Sequence, residues 1–205
     1  MRYLPLFRDV KDRDCLVVGG GAVAFRKARM LRRAGARLTI VAPTIAQDFS
    51  VLAETGGPRA RLRSLRGASA AGAATGDRSV NRAVADSARY AGIPVNVVDD
   101  ASLSDIIIPA IVDRDPLVVA ISTGGGAPVL ARHIRAAIEA MLPASLGTLV
   151  EDAAALRPRV RLRLQDAAHR LRFWERYFAG WRSGQAGAAL DGLNPAPAEG
   201  SVSIV

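Results

Sequence analysis

The residues best suited to chemistry in this chain form a glycine-rich loop near its start. Gly19, Gly21 and Ala24 match the pattern G-x-G-x-x-A between a strand-like and a helix-like run. The first glycine permits a tight turn, the second lets a pyrophosphate approach the backbone, and the alanine allows close helix packing. Free N–H groups and the helix dipole there favour an anion. The pattern predicts a dinucleotide site, although a glycine turn without a ligand has the same sequence.

The kind of dinucleotide stays open on this motif alone. NAD-binding domains commonly carry an acidic residue at the end of the second strand, where it holds the ribose hydroxyls. Here that strand ends in Ala42, Pro43 and Thr44, which offer neither an acid nor an arginine. Thr44 is able to offer its hydroxyl, and the sequence leaves NAD and NADP undecided.

A pair of carboxylates ends a later strand-like run, VNVVDD. Asp99 is expected at the carboxyl end of a strand, where ligands bind in open α/β sheets, and a carboxylate in that place suits proton acceptance. Asp100 is the adjacent alternative, and strand alternation points it differently. Either aspartate also fits a plain capping or turn role.

Other reactive side chains are few. His133 and His169 lie far apart in helical patterns without partners at ligand spacing, so no resident metal site is predicted. Cys15 is expected to be a buried structural thiol. No apolar run approaches the roughly 20 residues that span a bilayer, and the N-terminus lacks the pattern of a secretion signal. The sequence therefore predicts a cytoplasmic protein without a membrane partner.

Strand-like and helix-like runs alternate in the first half of the chain, which predicts a parallel sheet with crossover helices. One helix begins near Ala22 and ends before Gly35, and a second, capped by Asp77 or Ser79, runs to Gly92. The predicted strands are, in chain order, CLVVGG, ARLTIVAP, a poor RARLRSLR and IPVNVVDD.

The second half of the chain has a different pattern. IIIPAIVDRDPLVVAIST predicts a hairpin or sheet extension with its turn at DRD. The run 129–142 has an apolar stripe at helical spacing that is available for a partner. Residues 145–182 are predicted to be helical, with an aromatic face through which the helix docks. The aromatic face consists of Trp174, Tyr177, Phe178 and Trp181.

The chain carries a net charge of +9, which implies attraction to anions. Interleaved arginines and aromatic residues within 157–182 also fit stacking on single-stranded nucleic acid, but that interpretation explains neither GGGAVA nor VNVVDD. We therefore predict no nucleic-acid partner, while the charge alone does not choose the kind of anion that the protein binds.

Several segments in a fixed order resemble the N-terminal module of siroheme synthases. They are YLPLF, LVVGGGAVAFRKARML, AGARLTIVAP, VNVVDD, IIIPAIVDRDPLVVAISTGGGAPVLAR and RFWERYF. The resemblance covers nearly the whole chain and implies an α/β fold in which a Rossmann-like parallel sheet precedes a dimerisation segment and a C-terminal helical domain. The implied ranges are 1–112 for the NAD-binding domain, 113–144 for dimerisation, 145–182 for the helical domain, and 183–205 for a linker.

The family module is a precorrin-2 dehydrogenase and sirohydrochlorin ferrochelatase, so the resemblance implies both activities, with ferrous iron as a substrate. It implies that Asp99 serves both reactions and that the chain forms a homodimer. It further implies a fused or associated uroporphyrinogen-III methyltransferase, whose opening strand is similar to SVSIV at residues 201–205. The residues implied to hold NAD are Gly19, Gly21, Ala22, Val23, Pro43, Thr44, Thr75 and Asp77.

Two segments depart from the family pattern. RGASAAGAATGDRSVN is shorter than its counterpart, and its strand is nearly all alanine, so poor burial and an impaired NAD site are expected there. Thr123 stands where a serine that can be phosphorylated is usual, which leaves regulation open. The alternative function is therefore a non-catalytic or regulatory module that binds tetrapyrrole and NAD.

Overall fold

The computed structural model of the chain describes residues 3–46, 49 and 68–181. The chain divides into two compact units, residues 1–109 with 122–128, and residues 110–121 with 129–205. The predicted strand RARLRSLR and the predicted linker 183–205 lie outside the described residues. Among the described residues, no helix has the length and apolar character needed to cross a membrane.

The first unit contains a parallel sheet of four strands in the order β2-β1-β3-β4. Helix α1 connects β1 to β2, and α2 connects β3 to β4. This arrangement confirms the predicted α/β class with crossover helices. The bounds are β1 Asp14–Val18, α1 Ala22–Arg33, β2 Arg37–Val41, β3 Ala70–Ala73, α2 Arg78–Tyr90 and β4 Val95–Val97.

Strand β3 corrects the expectation of poor burial. It pairs with β1 on one side and β4 on the other, and all four of its residues are buried. Ala71 and Ala73 face Ala85 and Ala88 of α2 in one apolar cluster. Because these alanine side chains are small, helix and sheet can approach closely, and larger neighbours such as Val84 and Leu103 complete the cluster.

The starts of α1 and α2 differ in their capping, and the predicted cap of α2 is confirmed. Of the two predicted caps of α2, Asp77 is the one observed: its carboxylate accepts the N–H groups of Ser79 and Val80 at 2.7 and 3.3 Å. Helix α1 begins directly after Gly21, with no side-chain cap. Its first-turn N–H groups therefore have no capping side chain.

The second unit begins with an antiparallel hairpin. Its strands are β5 Ala110–Arg114 and β6 Leu117–Ile121, so Asp113 and Arg114, predicted to turn, belong to the strand. Arg114 belongs to the strand because its backbone pairs with Leu117, and its guanidinium is fixed outside the hairpin. It donates to the carbonyls of Leu142 and Glu139 at 2.9 and 3.1 Å, at the end of helix α3 (Pro128–Met141).

The predicted helical region after residue 145 forms two helices, α4 Leu146–Arg163 and α5 Ala167–Ala179. The break occurs because Asp166 caps α5, accepting the N–H of His169 at 2.9 Å. Trp174, Tyr177 and Phe178 of α5 pack on α4, which confirms a helix that docks through its aromatic residues. Phe173, absent from the predicted face, is the most buried of these aromatic residues at 1% exposure.

We expect Phe173→Ala to lower the free energy of unfolding of the second unit by about 3–5 kcal/mol, because the substitution leaves a cavity. Leu171→Ala is the matched control, since Leu171 is 60% exposed on the same helix. Denaturant unfolding can be followed by tryptophan fluorescence, because both tryptophans of the chain lie at positions 174 and 181. Equal unfolding midpoints for the two variants would contradict this packing account.

Candidate functional site

The candidate site lies at the carboxyl edge of the parallel sheet. The strand order reverses at β1, since β2 lies on one side of it and β3 on the other. Loops that leave such a point diverge and open a crevice for a ligand. The sheet places at this edge the glycine loop after β1, Pro43 and Thr44 after β2, Thr75 after β3, and Asp99 after β4.

The glycine loop passes very close to neighbouring backbone. Gly19 has a φ of +129°, and a Cβ there would lie 2.3 Å from the Ala74 carbonyl oxygen. A Cβ on Gly20 would lie 1.9 Å from the carbonyl oxygen of Thr44. The sequence argument passed over Gly20, because the motif treats that position as variable. The run of three glycines was the available signal.

Gly21 differs from the other two glycines because a Cβ built on it meets nothing within 4 Å. It precedes α1, whose first turn contains no acidic residue. The first helical hydrogen bond is donated by the N–H of Phe25 to Gly21, so the N–H groups of Ala22 and Val23 precede the helical ladder. Open space beside N–H groups that have no hydrogen-bond partner among residues 3–46, 49 and 68–181 fits a pyrophosphate.

The segment after β2 is tied to the glycine loop. The N–H of Gly19 donates to Val41 at 2.8 Å, and the N–H of Ala46 donates to Gly20 at 3.0 Å. Pro43 and Thr44 lie between these bonds and are exposed. They therefore border the loop, in the place predicted for the adenosine ribose.

The turn between β3 and α2 is held by Asn81, a residue that the sequence analysis missed. Asn81 is 7% exposed; its oxygen accepts from the Thr75 hydroxyl at 2.7 Å, and its amide donates to the Thr75 carbonyl at 3.1 Å. The sequence feature that could have identified Asn81 is its position three residues before Val84, which places it on the apolar face of α2. The shortened segment thus still ends in a well-bonded turn.

Asp77 caps helix α2 in that turn. Besides its two backbone bonds, it accepts the Ser79 hydroxyl at 2.6 Å. These hydrogen bonds, the hydroxyl foremost, hold the pKa of Asp77 below its ordinary value. Its carboxylate therefore stays charged and occupied as a helix cap, and its contact with a cofactor stays a prediction.

Asp99 lies in the turn after β4 with a φ of +56°, in the left-handed region that non-glycine residues rarely adopt. It lines a cleft of about 520 Å³ together with Thr75, Arg78 and Asn81. Across the described ranges 3–46, 49 and 68–181, no hydrogen-bond donor is bonded to its carboxylate. Asp99 is exposed and open to a ligand.

Asp100, the alternative carboxylate, is occupied. One of its oxygens accepts the N–H and hydroxyl of Ser102 at 3.1 and 2.5 Å and the N–H of Leu103 at 3.3 Å. The other accepts from Arg78 at 3.2 Å. These bonds, that of the Ser102 hydroxyl foremost, lower the pKa of Asp100. Of the two aspartates, Asp99 is therefore the one whose carboxylate has no hydrogen-bond partner among the described residues, and its role as a base stays a prediction.

Lys27 of α1 is a second group that the sequence analysis missed. Its side chain passes 3.6 Å from the position of a Cβ on Gly72, and its ammonium donates to the side-chain oxygen of Asn96. Asn96 in turn donates to the Ile106 carbonyl at 2.8 Å. Burial lowers the pKa of Lys27, and the charge of Asp99 opposes that shift. Nothing in the arginine-rich sequence of α1 marked this lysine.

No cluster of three metal-ligating side chains occurs in the part of the chain that the structure describes. His169 lies 3.2 Å from Asp166 at the start of α5, where the pair belongs to a helix cap. Cys15 is buried as predicted, and burial raises the pKa of its thiol.

Three family models match the chain in succession. Residues 6–110 match a family described as "Putative NAD(P)-binding", residues 114–141 the sirohaem biosynthesis protein central region, and residues 145–191 the sirohaem synthase dimerisation region. The dimerisation match thus begins after segment 113–144, for which the dimerisation role stays a prediction.

Curated relatives include siroheme synthases from Nitrosomonas europaea, 47% identical over 187 residues, and Stutzerimonas stutzeri, 48% identical over 185 residues. Each alignment covers 88% of this chain, which spans about two fifths of either relative, 39% and 40% respectively.

A solved structure with a similar fold is that of SirC, precorrin-2 dehydrogenase. It has a TM-score of 0.71 and 24% identity, with 93% of this chain and 98% of that chain covered. This likeness confirms the predicted fold class. Because the first family model covers 6–110 of the 205 residues, the chain belongs to this NAD(P)-binding family, and it is related to the siroheme synthases.

Proposed function

We propose that the chain oxidises precorrin-2 to sirohydrochlorin with NAD and then inserts ferrous iron to give siroheme. The observation that carries the proposal is the unbonded carboxylate of Asp99 in a cleft at the same sheet edge as the open glycine loop. The siroheme synthase relatives and the NAD(P)-binding match supply the class of substrate and cofactor.

The glycine loop is the proposed anchor of the dinucleotide. The N–H groups of Ala22 and Val23 would bind the pyrophosphate beside Gly21, and Pro43 and Thr44 would border the adenosine ribose. We favour NAD because it is the cofactor implied by the resemblance to the siroheme synthases; the end of β2, with neither an acid nor an arginine, does not itself decide between NAD and NADP. When bound, NAD supplies a hydride acceptor.

Asp99 is the proposed base. Oxidation of precorrin-2 removes one hydride, for which bound NAD would be the acceptor, and one proton, taken up by a carboxylate oxygen of Asp99. Insertion of ferrous iron as a substrate displaces two pyrrole protons, and the same carboxylate can accept them in turn as solvent removes each one. The net charge of +9 complements the eight carboxylates of precorrin-2.

The alternative of a non-catalytic binding module depended on an impaired strand in the shortened segment. Strand β3 is paired on both sides and buried, so the reason for that alternative falls away. We further propose that the chain acts in the cytoplasm and works with a fused or associated uroporphyrinogen-III methyltransferase. Both proposals rest on its similarity to siroheme synthases.

We also propose a homodimer, supported by the match to a sirohaem synthase dimerisation region. Leu130 on α3 is 52% exposed and Leu162 on α4 is 77% exposed, so either helix has apolar surface to bury.

Sedimentation at micromolar concentration is expected to show a dimer that Leu130→Glu dissociates, if segment 113–144 forms the interface. Arg132→Glu on the same helix is the control for added charge. Dissociation by Leu162→Glu instead would place the interface in 145–191, and a monomeric parent chain would refute the dimer.

Gly21→Val is expected to keep the fold, because its Cβ meets no atom within 4 Å, and to abolish NAD binding by filling the space of the pyrophosphate. Calorimetry with NAD and with NADP measures the loss and tests the choice of cofactor. Gly20→Ala is the contrasting variant, expected to unfold at lower temperature, since its Cβ would overlap the Thr44 carbonyl. Unchanged NAD affinity in Gly21→Val would refute the loop assignment.

Asp99→Asn is expected to lower the rates of oxidation and iron insertion by about 10²–10⁴, the usual cost of losing a general base. Asparagine also tolerates the left-handed backbone, so the turn should persist. Both reactions can be followed by tetrapyrrole absorbance under anaerobic conditions, with NAD affinity as the check on folding. Asp100→Asn should cost much less. Rates close to those of the parent chain in Asp99→Asn would place the base elsewhere.

A further inference from the structure

The turn that carries Asp99 is closed by one hydroxyl group. Ser104 Oγ accepts the N–H of Val97, the last residue of β4, at 2.9 Å. The same oxygen lies 2.8 Å from the Asp100 carbonyl and 3.1 Å from the Val97 carbonyl, and its single proton can be donated to either. Ser104 therefore links the chain before Asp99 to the chain after it.

This link acts on a backbone conformation that needs support. A non-glycine residue in the left-handed region persists where its surroundings determine it. On the side before Asp99, the N–H of Val98 donates to the Ala73 carbonyl at 2.9 Å. On the side after it, Asp100 is fixed by Ser102 and Leu103. Ser104 joins these two anchored sides.

Ser104 is set back from the substrate space. Its neighbours Asp100, Ala101 and Leu103 line the cleft, whereas Ser104 is not among the lining residues that the structure describes. Leu103 beside it is only 4% exposed and packs in the cluster between the sheet and α2, which anchors the serine. An effect of Ser104 on the reaction must therefore pass through the turn.

We infer that Ser104 is a positioning residue that holds Asp99 in its left-handed conformation, with the carboxylate in the cleft. This inference rests on the proposed function, in which Asp99 accepts the substrate proton. Removing the hydroxyl frees the Val97 N–H and releases the turn. A displacement of the base by about 1 Å can cost about 10²-fold in rate, so a fall in kcat of about 10- to 100-fold is expected.

The test compares Ser104→Ala with Ser102→Ala in the full chain, by kcat and KM for precorrin-2 and by NAD affinity. Ser102→Ala also removes a hydroxyl bond to Asp100, but the N–H groups of residues 102 and 103 keep that carboxylate in place. We expect kcat to fall in Ser104→Ala alone, with NAD affinity unchanged in both variants.

The same substitution in an Asp99→Asn background separates positioning from general destabilisation. If Ser104 acts only through Asp99, Ser104→Ala causes no further loss there. A further loss in that background, or an unchanged kcat in Ser104→Ala while Asp99→Asn shows the expected fall in rate, would overturn the inference and leave the proposed function standing. An active Asp99→Asn would overturn both.

A second pair of variants tests the inference if Ser104→Ala folds poorly. Ser104→Thr keeps the hydroxyl group, and Ser104→Val has the shape of threonine without a hydroxyl group. The inference expects the threonine variant to retain kcat and the valine variant to lose it. Equal kcat values in the two would contradict the inference.

Discussion

The close backbone contacts of the glycine loop are the constraint on which the rest of the site depends. The loop passes so near the carbonyls of Ala74 and Thr44 that a methyl group at Gly19 or Gly20 would overlap them. These contacts draw together the segments that follow β1, β2 and β3. They leave α1 to begin at an open edge, where its first-turn N–H groups have no side-chain cap.

Small side chains make that convergence possible elsewhere in the unit. Strand β3 and the facing side of α2 are rich in alanine, and Gly72 leaves room for the Lys27 side chain to cross the sheet. Lys27 thereby places a partly buried positive charge beside Asn96 of β4, where it interacts electrostatically with Asp99. The small residues of β3, which suggested a weak strand, thus allow α2 and the side chain of Lys27 to lie close to the sheet.

Much of the frame could be predicted from local patterns. The glycine motif, the Asp77 cap, the alternating strands and the aromatic face of α5 each depend on neighbours close in sequence. Residues whose roles depend on distant partners were missed. Gly20 is constrained by Thr44, Lys27 by Asn96, and Arg114 by the end of α3. Strand alternation alone gave little ground for choosing between Asp99 and Asp100. The structure adds one, because the carboxylate of Asp100 accepts hydrogen bonds from Arg78 and Ser102.

The central claim is that the open loop and the unbonded carboxylate together carry out a dehydrogenation. The most direct measurement is anaerobic incubation of the unaltered chain with precorrin-2 and NAD, with NADH and tetrapyrrole absorbance recorded together. The account predicts that NADH and sirohydrochlorin form in equal amounts, without added metal. Binding of NAD and tetrapyrrole without any formation of NADH would contradict it.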